Sequence, residues 1–430
     1  MNIEISPNSP IRKIALASLI GTTIEWYDFF LYNTAAALVF NKLFFPTFDP
    51  FVGTMLAFST YAVGFAARPI GGIVIGHYGD KVGRKSMLVL TLLMMGIATS
   101  CIGLLPGYNV IGPWAAVILV LLRVVQGFGV GGQWGGAVLM AVEHAPEGKR
   151  GFYGSWPQIG VPAGLLLSTI IFSFFSRLPA EQFMAWGWRV PFLLSIVLVG
   201  VGLWIRLKIL ETPSFTRLKE TNTESKQPII EVLRKYPKQV LQAAGARVAE
   251  NGSFYIYSAF MLVYATQHAH VDRNVALNGI MIASALEFVA VPAYGALTDR
   301  IGRRPVFMFG AIMTAVLAFP LFWLFDTGST ALITLALILV FLCSHAPMYA
   351  PQGAFFSELF GANVRYSGAS LGSQLAAAVA GGFSPLIATW LLPKYGPNAI
   401  ALYIIGLSVI TMVAIWSAVE TMRTGLDDKA

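Results

Sequence analysis

The chain has 430 residues, of which 56% are hydrophobic and only 12% are charged. Soluble domains carry about 25% charged residues, so this composition excludes an ordinary soluble enzyme or binding domain and indicates a protein that crosses a membrane many times. The formal net charge of +8 would suit a nucleic-acid-binding protein, but the placement of the basic residues, described below, argues against that class.

Twelve apolar runs follow one another along the chain, each near the roughly 20 residues that a membrane-spanning helix needs. A polar stretch, 207–238, separates six runs from six. We therefore predict an all-α membrane protein with an N-terminal six-helix bundle (1–206), a cytoplasmic linker (207–238) and a C-terminal six-helix bundle (239–430). The approximate runs are 14–40, 51–76, 87–105, 113–142, 152–176, 190–206, 239–266, 275–297, 305–325, 330–355, 366–392 and 398–419.

Basic residues fall mainly on one side of this topology. Most of the 29 Lys and Arg residues lie in the segments on the same side as the N-terminus and the linker. The loops on the other side hold only Lys42, Arg177, Arg189, Arg273 and Lys394. Because basic loops remain in the cytoplasm, this asymmetry predicts a multi-pass protein of the cell (inner) membrane with both termini cytoplasmic.

An internal repeat relates the two halves. The segment 76–85 returns as 295–304, and both read G-x-x-x-D-[KR]-x-G-R-[KR]. A second sign of the repeat is a pattern in which an acid is followed seven residues later by an arginine. This pattern occurs after the fourth apolar run and again after the tenth. These pairs are Glu143 with Arg150 and Glu358 with Arg365. Such duplication is the usual build of a secondary transporter, so it predicts two pseudo-symmetric bundles and a transport function.

These repeated loops resemble the signature of the major facilitator superfamily. Further motifs are similar to its metabolite:proton symporter group, and the segment 151–167 is closest to the shikimate-transporter branch. The motifs are Glu25-Trp26-Tyr27-Asp28-Phe29, Arg68-Pro69-Ile70-Gly71-Gly72, Arg123-Val124-Val125-Gln126-Gly127, Trp186-Gly187-Trp188-Arg189-Val190-Pro191-Phe192, Glu211-Thr212-Pro213 and Glu250-Asn251. The resemblance implies a central cavity lined by helices 1, 4, 7 and 10, and alternating access.

The chain departs from that group in two places. The group commonly has Glu where this chain has Gln133, which puts the usual coupling or substrate choice in doubt. The tail after Glu420 is short, whereas osmosensory proline/betaine carriers have a long coiled-coil tail. We therefore expect an osmosensory role less than a metabolite-uptake role.

Ionisable residues inside apolar runs are costly and default to functional hypotheses. Seven such residues stand out, four acidic and three basic, so full ionisation would leave one unpaired negative charge inside the membrane. One acid is therefore expected to cycle between charged and protonated forms. We predict that Asp28 carries the proton, with Glu25 as the alternative. By the resemblance, Asp28 pairs with Arg123, and protonation of Asp28 frees Arg123 for a substrate carboxylate. A permanent structural bridge between the two is the alternative. The seven residues are Glu25, Asp28, Arg68, Arg123, Arg247, Glu250 and Glu287.

Polar and aromatic residues on the expected cavity helices are the candidate substrate contacts. Each could instead serve helix packing, and His345 could carry protons or remain a neutral hydrogen-bonded ring. The candidates are Tyr32, Gln133, Trp134, Gln158, Arg247, Glu250, Asn251, Tyr255, Glu287, His345 and Gln374.

The charges of the repeated loops are the candidate gating residues. The resemblance implies that they form interbundle bridges that close the cytoplasmic side; the alternative is that they only set topology. They are Asp80, Arg84, Glu143, Arg150, Asp299, Arg303, Glu358 and Arg365.

We thus expect proton symport of a small organic acid, shikimate-like or another carboxylate. The alternatives are a betaine/proline symporter and an uncoupled facilitator. Neither H-E-x-x-H nor G-x-x-x-x-G-K-[ST] occurs, so we expect no enzyme activity and no cofactor. His268 and His270 lack a third ligand, so no metal site is expected. The expected partners are an anionic or zwitterionic small molecule, protons and membrane lipids, with no nucleic acid, and the expected state is a monomer.

Overall fold

The computed structural model describes residues 10–82, 84–208, 228–361 and 364–423, which are helical and contain no strand. In the N-terminal half the long helices are α1 (Pro10–Ala35, continued by Ala36–Phe40 and Asn41–Phe44), α2 (Pro50–Val82), α3 (Arg84–Leu104), α4 (Trp114–Gly131 and Trp134–Glu143), α5 (Arg150–Gly154 and Trp156–Ser176) and α6 (Arg189–Leu193 and Ser195–Lys208).

In the C-terminal half they are α7 (Pro237–Tyr255, continued by Ile256–Phe260, Met261–Val263 and Tyr264–His268), α8 (Arg273–Ile301), α9 (Arg303–Asp326), α10 (Thr330–Leu339, Val340–His345, Ala346–Tyr349 and Gln352–Leu359), α11 (Arg365–Ala376, Ala377–Gly381 and residues 384–395) and α12 (residues 397–417). A short helix, Pro228–Lys235, precedes α7.

Every predicted apolar run coincides with a helix in the part of the chain that is described. By length and hydropathy, nine helical stretches there can cross a membrane, and the longest, Arg365–Ser417, contains both α11 and α12. Gly396, with φ at 72°, separates those two. The apolar part of α3 is shorter, and α7 carries the polar residues described below. The prediction of an all-α membrane fold is therefore confirmed. Most of the linker, 209–227, lies outside the described residues, and the domain limits remain predictions.

Helix contacts repeat between the halves. In the first half α1 packs on α5, α2 on α4 and α3 on α6; in the second, α7 packs on α11, α8 on α10 and α9 on α12. The halves meet along two seams, α5 against α8 and α2 against α11. These seams exchange when the halves are exchanged, so the fold has the pseudo-two-fold symmetry that the sequence repeat predicted.

The distribution of side chains is inverted relative to a soluble protein. Large apolar residues such as Ile97, Trp114, Phe174 and Trp416 are exposed on the outer surface, where lipid chains would cover them. Charged residues lie instead at the centre, at less than a tenth of their full exposure. The bundle therefore encloses a polar interior, as intramembrane charges require.

Glycines set the distance between α2 and α4. A Cβ atom on Gly127 would lie 1.8 Å from the carbonyl oxygen of Gly64, and one on Gly131 would lie 2.0 Å from that of Arg68. Small residues at helix contacts allow backbones to approach closely within lipid. This approach brings the side chains of Arg68 and Arg123 into one region, since a Cβ on Gly64 would meet Arg123 Nε at 3.1 Å.

Wider, π-helical turns occur in three of the four expected cavity helices, α1 at Ala36–Phe40, α7 at Ile256–Phe260 and α10 at Val340–His345, and also in α11 at Ala377–Gly381. The fourth expected cavity helix, α4, is interrupted at Gly132 and Gln133. Such irregular turns occur frequently at functional sites. They turn polar side chains inward without exposing backbone groups to lipid.

We predict that Gly127→Ala destabilises the protein by about 1–3 kcal/mol or more, because the added methyl group overlaps the α2 backbone. The matched control is Gly200→Ala, where nothing lies within 4 Å of the new Cβ. That change should be neutral or slightly stabilising, since Ala has the higher helix propensity. Thermal unfolding of both purified variants in one detergent measures the difference; equal melting temperatures would contradict this account of the packing.

Candidate functional site

Two arginine side chains lie buried in the N-terminal half. Arg68 on α2 is 2% exposed and Arg123 on α4 is 1% exposed. The Cζ atom of Arg68 is 3.8 Å from the ring centroid of Phe65, and that of Arg123 is 3.9 Å from that of Tyr32. Phe29 lies near both, at 4.3 and 5.1 Å. We call Arg68, Arg123 and these three rings the arginine cluster.

The arginine cluster contains no acid. Arg123 Nη1 donates to Gln126 Oε1 at 2.9 Å, and Arg68 interacts electrostatically with the Tyr255 hydroxyl. The Nε and Nη2 atoms of both arginines have no hydrogen-bond partner among the described residues. Aromatic rings contribute roughly 0.5–2 kcal/mol per cation, which is less than the several kcal/mol that burial of each charge costs. The two cations thus form a site suited to an anion.

Asp28 does not form the expected pair with Arg123. It is buried on α1 and accepts a hydrogen bond from the Ser195 hydroxyl of α6, while its Oδ2 atom has no partner among the described residues. Asp28 points toward Ser195 of α6, whereas the Arg123 guanidinium lies over the Tyr32 ring, one turn further along α1, and against Gly64 of α2. The two side chains are therefore not in contact in this conformation, and their pairing at another stage of the cycle stays a prediction. Glu25 is also buried, one turn before Asp28 on α1.

A chain of polar groups nevertheless connects the two residues. From Arg123 it passes to Gln126, whose Nε2 donates to Thr99 Oγ1 at 2.7 Å. The Thr99 hydroxyl donates to the Met95 carbonyl at 2.9 Å and interacts electrostatically with the neighbouring Asp28. Asp28 and Arg123 are therefore linked through two neutral side chains rather than by a salt bridge.

The C-terminal half holds a second buried cluster, on α7, α8 and α10. His345 lies between two acids: its Nδ1 contacts Glu287 Oε1 and its Nε2 lies 3.2 Å from Glu250 Oε1. Arg247 Nε lies 3.3 Å from Glu250 Oε2. We call Arg247, Glu250, Glu287 and His345 the histidine cluster. In contrast to the arginine cluster, its cations and acids lie in contact.

Neutral groups complete the surroundings of the histidine cluster. Gln352 and Asn251 each donate to Glu250 Oε2 at 2.9 Å. The rings of Phe254 and Tyr349 stack on His345 at centroid distances of 4.0 and 5.0 Å. The imidazole is thus held in one orientation and is shielded from lipid.

The other predicted substrate contacts divide into three groups. Tyr32 and Tyr255 lie at the arginine cluster, as described above. Trp134 lies 5.0 Å from Arg247 Cζ and donates to Gln158, whose Nε2 donates to the Tyr349 carbonyl, so these two residues join the halves.

Gln374 is buried on α11, which faces α2. Gln133 is placed apart, since its Nε2 donates to Thr91 of α3. It therefore does not face the two clusters in this conformation.

At one end of the bundle, charged residues join the halves. Asp299, at the end of α8, accepts hydrogen bonds from the backbone N–H groups of Gly151 and Phe152 at 2.8 Å. These groups begin α5, where a carboxylate is favoured by the helix dipole. Arg303 Nη1 contacts Asp299 at 2.8 Å, and its Nη2 contacts Glu358 at 3.0 Å. We call Asp299, Arg303 and Glu358, with Glu143 and Arg365, the latch.

The acid–arginine pairs of the latch cross between the two halves. The acid after α4, Glu143, contacts Arg365 of the other half at 3.5 Å, and Arg150 lies near Glu358, so the partners cross between the repeats. The sequence could not reveal this crossing, because the repeat shows equivalence and not contact. The side chains of Asp80 and Arg84 lie outside the described residues.

At the opposite end, a set of contacts that the sequence did not point to also joins the halves. Ser176, at the end of α5, donates to Asn274 of α8 at 3.0 Å, and Arg273 donates to the Ser176 carbonyl. Gln267 donates to Thr54 at 3.3 Å. Because both ends are joined, the two clusters are enclosed. Single polar residues at helix ends are common, so no sequence signal distinguished these.

Known proteins resemble this chain in sequence and in fold. The chain is 43% identical to the shikimate transporter of Escherichia coli (strain K12), over 95% of this chain and 94% of that protein. It is 41% identical to the inner membrane metabolite transport protein YhjE of the same organism, over 98% and 97%.

Among solved structures, the proton:xylose symporter XylE of E. coli, bound to 6-bromo-6-deoxy-D-glucose, superposes with a TM-score of 0.75 at 17% identity, over 97% of this chain and 98% of that one. At that identity the likeness shows the fold alone. The sequence profile of the Major Facilitator Superfamily matches residues 18–382. This helical membrane chain, a transporter and not an enzyme, therefore belongs to the major facilitator superfamily.

Proposed function

We propose that this transporter takes up a small organic acid together with protons, by alternating access. The observation that carries the proposal is the arginine cluster, in which two buried guanidinium groups have no acid partner among the described residues. A substrate carboxylate supplies the missing negative charge and accepts forked, charge-assisted hydrogen bonds. The aromatic rings beside the arginines suit the ring of a shikimate-like acid, and the 43% identity to a shikimate transporter supports that class.

Asp28 is the proposed proton carrier of the N-terminal half. An ionised Asp28 would be drawn to Arg123, because a buried charge is stabilised mainly by its counter-ion. In the described conformation Arg123 points elsewhere and Asp28 accepts from Ser195. This arrangement fits the stage of the cycle at which Asp28 holds a proton and Arg123 is available for substrate. The Gln126–Thr99 chain is the proposed connection between the two.

The latch is proposed to close the cytoplasmic side, with both termini in the cytoplasm and the protein acting as a monomer. The positive-inside asymmetry supports this orientation. Contacts between the halves at both ends correspond to the closed stage between the two open ones. The seams of α5 with α8 and α2 with α11 are the surfaces along which the halves would rock.

The central experiment uses proteoliposomes that contain a pH-sensitive dye, without an imposed gradient. Shikimate, keto acids, dicarboxylates, betaine and proline are added in turn, and internal acidification is recorded beside uptake of the labelled compound. We expect acidification with one class of carboxylates, absent from empty liposomes. Labelled uptake without acidification would identify an uncoupled facilitator. A response to betaine or proline alone would identify a compatible-solute symporter and overturn the proposal of an organic acid.

Arg123→Lys tests the carboxylate contact, because it keeps the charge but loses the fork. We expect the KM for the transported acid to rise about 10- to 100-fold, from the roughly 1.5–3 kcal/mol of a charge-assisted hydrogen bond. Arg68→Gln should have a similar effect. The ratio of transport of the acid to transport of its neutral amide is the decisive readout, and exposed Arg177→Gln is the matched control. An unchanged ratio in both cluster variants would refute the anion site.

Asp299→Asn tests the latch. The amide removes the charge that holds Arg303 and the first turn of α5, so the closed end should form less readily. We expect initial uptake rates at saturating substrate to fall at least about tenfold. Glu231→Gln is the control, since it removes one acid of a surface ion pair with Lys235 outside the latch. Normal transport by a folded Asp299→Asn protein would leave the latch with a role in topology only.

A further inference from the structure

Both ring nitrogens of His345 face carboxylates. Nδ1 contacts Glu287 Oε1, and Nε2 lies 3.2 Å from Glu250 Oε1. His345 and Glu287 are fully buried and Glu250 is 4% exposed. From its place in the sequence His345 could carry protons or remain a neutral hydrogen-bonded ring, and the proposed function does not require its contact with Glu287.

The number of hydrogens in these two contacts is fixed by chemistry. Each nitrogen–oxygen contact needs one hydrogen between its atoms, and carboxylates supply none. A neutral imidazole has a single N–H, so it satisfies only one of the two contacts. The arrangement therefore contains one additional hydrogen, carried either by an imidazolium or by a carboxylic acid.

The surroundings place that hydrogen between Nδ1 and Glu287. Glu250 faces only donors: Arg247 Nε, Gln352 Nε2 and Asn251 Nδ2. Glu250 is thus the ionised acid, and it accepts from Nε2–H of His345. Glu287 has no such support, because its Oε2 atom has no partner among the described residues.

The net charge of the histidine cluster also requires one additional hydrogen. With the additional proton, Arg247 and the His345–Glu287–Glu250 group sum to zero, as a buried cluster in a low dielectric requires. Without it, one negative charge remains. Other ionisable groups near the imidazole are Tyr349, stacked on the ring, and Tyr255, which interacts with Glu250. Arg68 on α2 interacts with Arg247 across the seam between the halves.

We infer that the His345–Glu287 pair is a second proton-binding site of the transport cycle, in the half opposite Asp28. The pair holds its proton while both ends are closed, since release would leave an uncompensated negative charge. When an end opens, water reaches the pair and accepts the proton, which leaves neutral His345 and ionised Glu287. This inference rests on the proposed proton symport, but the site can be tested without a substrate.

The substrate-free test is nitrogen-15 NMR of histidine-labelled protein in lipid bilayers near neutral pH. His345→Gln identifies the His345 signals among those of the five histidines. In Glu287→Gln the amide donates its own N–H to Nδ1, so no dissociable proton remains there. We expect the Nδ1 resonance to differ between wild type and Glu287→Gln, and to change with alkaline pH in the wild type only. Identical, pH-independent Nδ1 resonances in both proteins would overturn the inference.

The transport test uses shikimate as the probe in the dye-loaded proteoliposomes. Because the amide of the Glu287→Gln variant imitates the protonated site permanently, the ratio of shikimate exchange to net shikimate uptake should be about tenfold or more higher in this variant than in wild type. Net uptake by the variant should fall about tenfold or more, with fewer protons entering per shikimate. Glu287→Asp should restore part of the coupling. The control is Asp326→Asn, an exposed acid whose partner is Tyr264.

The outcomes separate the two proposals. Wild-type protein that neither exchanges nor accumulates shikimate refutes that substrate, and the NMR comparison then decides the proton site alone. Wild-type symport with unchanged proton coupling in a folded Glu287→Gln protein refutes the His345–Glu287 site and leaves Asp28 as the carrier. If Glu287→Gln does not fold, His345→Gln is used instead; the inferred site predicts a changed number of protons per shikimate in that variant, and an unchanged number would refute it.

Discussion

The cost of an uncompensated charge inside the membrane is the constraint on which the rest of this structure depends. Three arginines, several acids and a histidine lie at the centre of a bundle whose outer surface is apolar. Each charge must find an opposite charge, a proton or a ligand, because the effective penalty otherwise reaches several kcal/mol per ion. The C-terminal half meets this demand internally, through contacts among Arg247, Glu250 and His345. The N-terminal half does not, and Arg68 with Arg123 remains the part of the protein that an anion would complete.

The two halves therefore share a fold but not a chemistry. Helix contacts repeat from one half to the other, whereas the arginine cluster has no equivalent in the described C-terminal half and the histidine cluster none in the described N-terminal half. A duplicated scaffold allows this division, because packing depends on small and apolar residues while the polar residues can diverge. Trp134 lies at Arg247 and Gln158 at the Tyr349 carbonyl, so the N-terminal half also contacts the surroundings of the histidine cluster across the seam. A substrate between the halves would contact both.

The sequence was informative wherever a property is carried by the pattern itself. Twelve apolar runs, the repeat at 76–85 and 295–304 and the buried charges predicted the fold, the symmetry and the composition of the site. The sequence did not predict the directions in which the buried side chains point. Whether Asp28 meets Arg123 depends on the rotation of α1 and α4 about their axes, and that rotation is set by contacts such as Gly127 with Gly64, which involve residues far apart in sequence. Gln133 was assigned to the cavity for the same reason, although the break in α4 turns it toward Thr91. Arg68 was recognised as a buried charge but given no role, because only the structure shows that it lacks an acid.

One helix connects the events at the centre with those at both ends. α8 begins at Arg273, which contacts the end of α5; it carries Glu287 at its middle; and it ends near Asp299, which contacts the start of α5. A continuous helix transmits displacement along its axis, so under the proposed cycle a change of charge at Glu287 would act on the element that holds both closures. Pro292 lies between Glu287 and Asp299 and removes a backbone hydrogen bond, which provides a point of bending between the middle and the latch. With that bend, the latch end can separate from α5 while the other end stays joined, and alternating access requires the ends to part in this way, one at a time.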